Sequence, residues 1–387
     1  MGTARRAFLP LAYICAAPAA AAFLAGPWLG CGTTSAPASA GDDAAGAADV
    51  VSEPAAPYTQ TLLDNAHIGS DSSKPDFQKA TASVALTGGP FAQVSLVVDL
   101  VSPCFPWSNW KTDPPPSGQN WPADCDAYDR NFEMALVDPD ASDAQTSPGL
   151  ELVRAITPFG GPEHIEQDVT DVFNSLQGPR TFTVTIPTYS DSVGKVSGSN
   201  GGWFVSAHLA VTPGTAPANV LAVIPLYYDS VTAGETIADI PFTMPPGTTS
   251  SRLEYRVTGH GGADDPSPSC MGSPAEEFCK RLHHVYLDDQ EIEQVTPWRA
   301  NCAKLCTLAD GGPFGGTGQY CEQNPCGDPR SVTASRANWC PGSETPSLSW
   351  TPAALSTPGA HTFKFAIDGI FQGGDWRVSA VAYAYGD

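Results

Sequence analysis

Phe91-Ala92-Gln93-Val94-Ser95-Leu96-Val97-Val98-Asp99-Leu100-Val101 sets the period of this chain. Val94, Leu96, Val98 and Leu100 occupy every second position, so an extended backbone sends them all to one face. The same alternation recurs where Phe182, Val184 and Ile186 interleave with Thr181, Thr183 and Thr185. Such runs are half-buried antiparallel strands. Further strands are expected at 204–211, 220–228, 253–257, 285–287, 361–367 and 376–385. Gly and Pro, 37 of each, punctuate them and leave no room for long helices. Many short strands separated by turn signals argue for a sandwich or jelly roll, and the length suits two such units in tandem.

Working outward, Arg5-Arg6 precedes an apolar run from Ala7 to Leu29 that is broken by Pro10, Pro18 and Pro27. Residues 1–31 read as an export signal rather than a membrane span, and Arg5-Arg6-Ala7-Phe8-Leu9 resembles a twin-arginine signal. Trp28-Leu29-Gly30-Cys31 resembles a bacterial lipobox, which would make Cys31 the lipid-bearing residue; cleavage near Ala38-Ser39-Ala40 is the alternative. Residues 32–57 form a flexible tether with almost nothing to bury. Thr212-Pro213-Gly214-Thr215-Ala216-Pro217 interrupts the strands, so an N-terminal domain is expected at 58–213 and a C-terminal one at 218–387. The expected location is outside the cytosol of a bacterial cell, as a periplasmic or outer-surface lipoprotein or a secreted protein.

The 19 Lys and Arg stand against 41 Asp and Glu, a formal charge of -22. That balance repels phosphate backbones and anionic headgroups, so nucleic acid is excluded as a partner and a membrane is reached only through the N-terminal lipid. Neutral sugars suffer no such penalty, and nine Trp and eleven Tyr suit their stacking. In an exported chain most cysteines should be disulfides. Local spacing pairs Cys104 with Cys125 and Cys270 with Cys279. Among Cys302, Cys306, Cys321, Cys326 and Cys340 one is left over. Zinc binding through Cys302-x3-Cys306 and Cys321-x4-Cys326 is the less favoured alternative.

Three segments repeat one recipe of polar group, aromatic ring and cysteine. They are Cys125-Asp126-Ala127-Tyr128-Asp129-Arg130, Ala275-Glu276-Glu277-Phe278-Cys279 and Ser335-Arg336-Ala337-Asn338-Trp339-Cys340. Asp129 can transfer a proton or activate water; its plain alternative is an ion pair with Arg130. Glu277, beside Glu276 and Phe278, is placed to have a raised pKa, or else it belongs to a solvated acidic turn. Arg336 and Trp339 offer a cation and a ring face, or simply pack on one another. His260, in Gly259-His260-Gly261-Gly262, and the pair His283-His284 invite a metal. Seven His and four Met without a His-x-His repeat argue against copper, and no metal site is expected.

Together these segments resemble the peptide-N-glycosidase F family of secreted bacterial amidases. Cys125 to Arg130 resembles the family's Cys-Asp-x-Trp-Asp-Arg. Arg154-Ala155-Ile156-Thr157-Pro158-Phe159 and Asp168-Val169-Thr170-Asp171 resemble Arg-Phe-Ile-Thr-Pro-Tyr and Asp-Val-Thr-Asp. Ala275 to Cys279 resembles Ala-Glu-aromatic-Cys with one residue inserted, and Arg336 to Gly342 resembles Arg-Ala-Gly-Trp-Cys-Pro-Gly. The resemblance implies two tandem eight-stranded antiparallel jelly rolls with the site between them. It implies hydrolysis of the glycosylated asparagine side-chain amide of N-linked glycoproteins or glycopeptides by a monomer without a cofactor. Asp129, Glu277 and Arg336 would be catalytic, and Arg130, Tyr128, Trp339, Phe278 and His260 would touch substrate. Cys302 would pair with Cys340.

The chain also departs from the family. A family glutamate meets Pro187 or Thr188, an aspartate becomes Ser335, and Gly-Trp-Gly-His becomes Gly259-His260-Gly261-Gly262. Tyr128 and Phe278 stand where the family has Trp. The loop Phe105 to Asp124 is longer and brings Trp107, Trp110 and Trp121 toward the rim. A non-catalytic glycan-binding lipoprotein on the same fold is the second reading, and a copper monooxygenase-like protein the third.

Overall fold

The computed structural model describes residues 56–137, 148–176, 178–190, 193–262, 270–312 and 318–387. The export segment, Cys31 and the tether up to residue 55 lie outside the described residues. Strands β1 to β8 run Tyr58–Ile68, Lys79–Val84, Phe91–Val101, Asn131–Val137, Leu150–Ile156, Glu163–Asp168, Arg180–Thr185 and Trp203–Pro213, with a short helix α1 at Thr170–Ser175. Strands β9 to β13 run Val220–Thr232, Ile240–Met244, Ser250–Gly261, His283–Leu287 and Gln290–Val295. A small hairpin follows, β14 (Leu308–Asp310) with β15 (Gln319–Cys321), then helix α2 at Pro329–Thr333. Strands β16 to β19 are Ser343–Glu344, Leu348–Trp350, Gly359–Ile367 and Gly374–Tyr385.

The pairing is nested. β1 pairs with β8, β2 with β7, β3 with β6 and β4 with β5, all antiparallel. The later strands repeat the scheme, β9 with β19, β10 with β18, β11 with β17 and β12 with β13. A chain folded back on itself in this way is a jelly roll, and here it is wound twice. Each roll closes over its own core. The first holds Val94, Leu96, Val98 and Leu100 of β3 with Phe182 and Val184 of β7, and the second holds Leu253, Tyr255 and Val257 of β11 with Phe363, Phe365 and Trp376. The alternation in the sequence is therefore the inward face of each sheet.

Two strands break that alternation. Every residue of β5 is buried, and β19 is buried along nearly its whole length. They lie where the rolls meet. On β19, Trp376, Val378, Ala380 and Ala382 enter the second core, while Val381 and Tyr383 reach the first. The side chains of β5 that face this seam are charged. Arg154 donates from Nε to Glu151 at 2.8 Å and from Nη1 to the carbonyl of Arg377 at 2.7 Å. Ser379 also donates to Glu151. Arg377 donates from Nε at 2.9 Å and from Nη2 at 2.9 Å to Glu133, which also accepts from the Tyr228 hydroxyl at 2.6 Å. β16 crosses the same seam, for it adds to β5 at the edge of the first roll's sheet.

Candidate active site

The loop that leads into β4 is anchored at its root by the Cys104–Cys125 disulfide. Its buried carboxylate is Asp126, which accepts from Nε and Nη2 of Arg130 at 2.8 and 3.1 Å and from Ser197 Oγ at 2.7 Å. Arg130 is thus paired with Asp126, not with Asp129. Its guanidinium lies 4.1 Å from the centre of the Tyr189 ring and 5.2 Å from that of Tyr128. The Arg130 amide donates to Thr157 Oγ1 at 2.8 Å, and its carbonyl accepts from the Thr157 amide at 2.8 Å. With its neighbours fixed on both sides, Asp129 is presented at the seam, half-buried.

From the second roll comes a 3-10 turn, Glu276–Phe278, closed by the Cys270–Cys279 disulfide. Glu277 is half-buried, and its Oε1 lies 2.6 Å from Nη1 of Arg336. The Glu277 carbonyl accepts from the Ala337 amide at 2.7 Å, so turn and arginine are tied through the main chain as well.

Arg336 belongs to the long segment between β13 and β16, where strand periodicity fails. Disulfides Cys302–Cys340 and Cys306–Cys321 staple that segment. Cys326, the one free cysteine among the described residues, packs against Cys104 and Cys125. Arg336 exchanges amide and carbonyl hydrogen bonds with Arg299, and its Nη2 donates to the Ser331 carbonyl and hydroxyl, each at 2.9 Å. The guanidinium is held over Phe278 at 4.8 Å and Trp339 at 4.5 Å. Asn338 adopts φ 69°, a left-handed conformation that Asn tolerates, and its Nδ2 donates to the Val257 carbonyl at 2.9 Å.

The electrostatics follow from these contacts. Burial raises the carboxyl of Asp129 and the charge of Glu277 adds to it, while Arg336 and Arg130 offset part of the rise; the result is about 7. Burial also raises Glu277, against the pull of Arg336. Each roll therefore contributes one carboxyl raised by burial beside a fixed cation, and that of Asp129 is brought near neutrality.

The remaining expected site residues are distributed around this trio. Phe278 lies under Arg336, and Tyr128, 38% exposed, leans on Phe159 with ring centres 6.4 Å apart. Trp339 is only 2% exposed. One face is covered by Arg336 and its ring stacks with His260 at 5.4 Å, while its Nε1 donates to the Gly259 carbonyl at 2.8 Å. It supports the arginine and offers no open face to a sugar. Burial pushes the His260 imidazole down to about 3, and its buried Nε2 has no partner among the described residues. Tyr189, 53% exposed over Arg130, was not singled out from the sequence; its only signal is a ring at the end of the run after β7. Nearby Thr188 is fully buried. Trp107 packs on Tyr320 of β15 at 4.8 Å, and Trp110 packs within its own loop on Trp121 at 5.9 Å.

Residues 227–382 match the family model described as peptide-N-glycosidase F, C terminal. Among solved structures, recombinant peptide: N-glycanase F (PNGase F) aligns with a TM-score of 0.63 at 16% identity, over 85% of this chain and 96% of that one. The structure of PNGase F described as a glycosylasparaginase from Flavobacterium meningosepticum gives 0.61 at 16%, with 85% and 96% covered. PNGF-II gives 0.62 at 19%, over 86% of this chain and 66% of that one. No curated protein sequence matches the chain. The molecule is accordingly a double jelly roll of the PNGase F type. Its residues 227–382 belong to the peptide-N-glycosidase F C-terminal family, and the resemblance read from the sequence holds.

Proposed function

We propose that this protein hydrolyses the side-chain amide that joins an N-linked glycan to asparagine, releasing the glycan as a glycosylamine and leaving aspartate. The observation that carries the reading is the convergence of Asp129 from the first roll with Glu277 and Arg336 from the second. Amide hydrolysis needs an oriented water, a donor to the carbonyl oxygen and a proton for the departing nitrogen. In this reading Glu277 orients the water and takes its proton as the oxygen adds to the amide carbon. Arg336, buried and paired with Glu277, orients that carboxylate and supplies fixed positive charge that stabilises the developing oxyanion. Asp129, held near a neutral pKa, delivers the proton as the carbon–nitrogen bond breaks. Tyr128 and Tyr189, exposed at the lip, would take sugar rings.

The four disulfides fit an oxidising compartment, where glycoprotein substrates are met. We place residues 1–31 as the export segment with Cys31 as its lipid attachment point, which radiolabelled fatty acid incorporation into wild type and Cys31→Ala would test. The amidase itself is tested by incubating the purified protein with a denatured N-glycoprotein and following conversion of glycosylated Asn to Asp by mass spectrometry. Failure on every glycan class by a folded protein would sink this reading and favour a glycan-binding role.

A further inference from the structure

The second segment holds two adjacent glutamates where the family pattern has one, and the structure sends them in opposite directions. Glu277 faces Arg336 at the seam. Glu276 is fully buried beneath the turn, and both of its oxygens are taken. Oε1 accepts from Nε of Arg281 at 2.6 Å and from Trp376 Nε1 at 2.9 Å, and Oε2 accepts from Nη2 of Arg281 at 2.8 Å and from the Phe371 amide at 3.1 Å. The carbonyl of Glu276 accepts from the Cys279 amide at 2.8 Å, which closes the turn. A Cβ on Gly374 would sit 2.9 Å from the Glu276 Cβ, so the start of β19 is packed directly against this side chain.

We infer that Glu276 is a positioning residue for the site: its carboxylate bolts the Glu276–Phe278 turn to Arg281 and the head of β19, and thereby aims Glu277 at Arg336 and Asp129. The inference rests on the amidase reading for its kinetic consequence, though not for its geometric one. A three-residue 3-10 turn has too few internal hydrogen bonds to hold a direction by itself. A carboxylate with four donors, two of them from one guanidinium, fixes both the position and the orientation of its backbone. Rotation of the turn would carry Glu277 away, because the two residues are adjacent and share that backbone. The extra residue is thus a foundation added below the working carboxylate.

The test compares wild type, Glu276→Gln and the double variant Glu276→Gln with Arg281→Gln, all as the intact protein. The single variant turns one acceptor into a donor facing Arg281; the double variant removes the stranded cation and recovers stability. Glu276→Gln is expected to lower kcat about 10- to 100-fold with KM within about twofold, as for a displacement of order 1 Å. The double variant should melt close to wild type yet stay slow. A parallel readout needs no turnover: in carbon-13 carboxyl NMR the midpoint of Asp129 should fall in both variants, because Glu277 no longer lies close enough to raise it. If the double variant regains wild-type kcat, or the Asp129 midpoint is unmoved in either variant, the positioning role is overturned. If wild type releases no glycan at all, the amidase reading has failed, and the Asp129 midpoint alone decides the inference.

Discussion

Two groups of charges lie along the same seam between the rolls, and they are built to opposite rules. In the structural group, Glu133 and Glu151 are saturated by Arg154, Arg377, Tyr228 and Ser379. At the candidate site, Glu277 is paired with Arg336, Asp129 feels the same positive charge, and both carboxyls are half-buried. Burial penalises both groups. The first recovers the loss through hydrogen bonds, and Glu133 is held below its ordinary value. The second is left short of partners, so its carboxyls are raised. The contrast separates charges that dock two domains from a carboxyl, Asp129, that can exchange a proton at neutral pH.

Asp129→Asn should break the contrast most severely. Glycan release should fall about 10²- to 10⁴-fold, the range for loss of a general acid or base. The fold should not suffer, and the sign of its pH dependence is a second check. A carboxyl raised in the native state contributes stability that is complete below its unfolded pKa and is lost as pH rises through its folded one. Wild type should therefore lose stability relative to Asp129→Asn between about pH 4 and about 7, a window set by the ordinary value of 3.8 and the native value of about 7. Urea unfolding at several pH values measures this; parallel curves for the two proteins would show that Asp129 is not raised.

The docking group should answer in stability instead. Arg154→Met strips Glu151 of its two strongest donors and removes a cation beside Glu133, leaving buried carboxylates short of partners, which costs about 3–5 kcal/mol. Urea unfolding should report that loss, while kcat at a temperature where the variant is folded should change little. A large fall in kcat without a loss of stability would place Arg154 in the site instead.

The rolls were legible in the sequence because their inward faces alternate and their outward faces are polar: Val94, Leu96, Val98 and Leu100 of β3 are all fully buried. The seam was not legible. Glu151 and Arg154 occupy positions that a half-buried strand would give to water, and only a second domain laid over β5 makes them interior. The site was legible only in part. Asp129, Glu277 and Arg336 lie far apart in the chain, and locally each admits an ordinary structural reading, so their grouping came from the resemblance. Local sequence also offered Arg130 to Asp129, whereas the fold gives it to Asp126. Nothing in Glu276-Glu277 says which glutamate turns inward, because that depends on Arg281 and Trp376.

If the site carboxyls work as an acid and its partner, the rate carries their signature. The protonated form of Asp129 is lost above about 7, so kcat should fall toward tenfold per pH unit on the alkaline side. The Glu276→Gln variant should move that limb to lower pH. An alkaline limb that stays flat to pH 9 in wild type would remove Asp129 from the proton donor's role while leaving the docking group untouched.

The mildest change sharpens the comparison from the structural side. Tyr228→Phe deletes one donor to Glu133 and leaves three contacts from Arg377 within hydrogen-bond range. A hydrogen bond to a charged group is worth about 1.5–3 kcal/mol, and the surviving contacts should keep the loss near the lower end. Burial alone would raise Glu133; Arg154 and Arg377, with the hydrogen bonds from Arg377 and Tyr228, outweigh it and hold it down. A depressed carboxyl contributes stability that is present above its unfolded pKa and lost as pH falls through its folded one. With Tyr228 gone that depression shrinks, so the variant should be weakened at neutral pH and converge on wild type in acid, with kcat unchanged. Phenylalanine keeps the ring under Arg377, so packing is held constant, and equal destabilisation at pH 7 and pH 3 would mean that the hydroxyl does not act by satisfying the charge of Glu133.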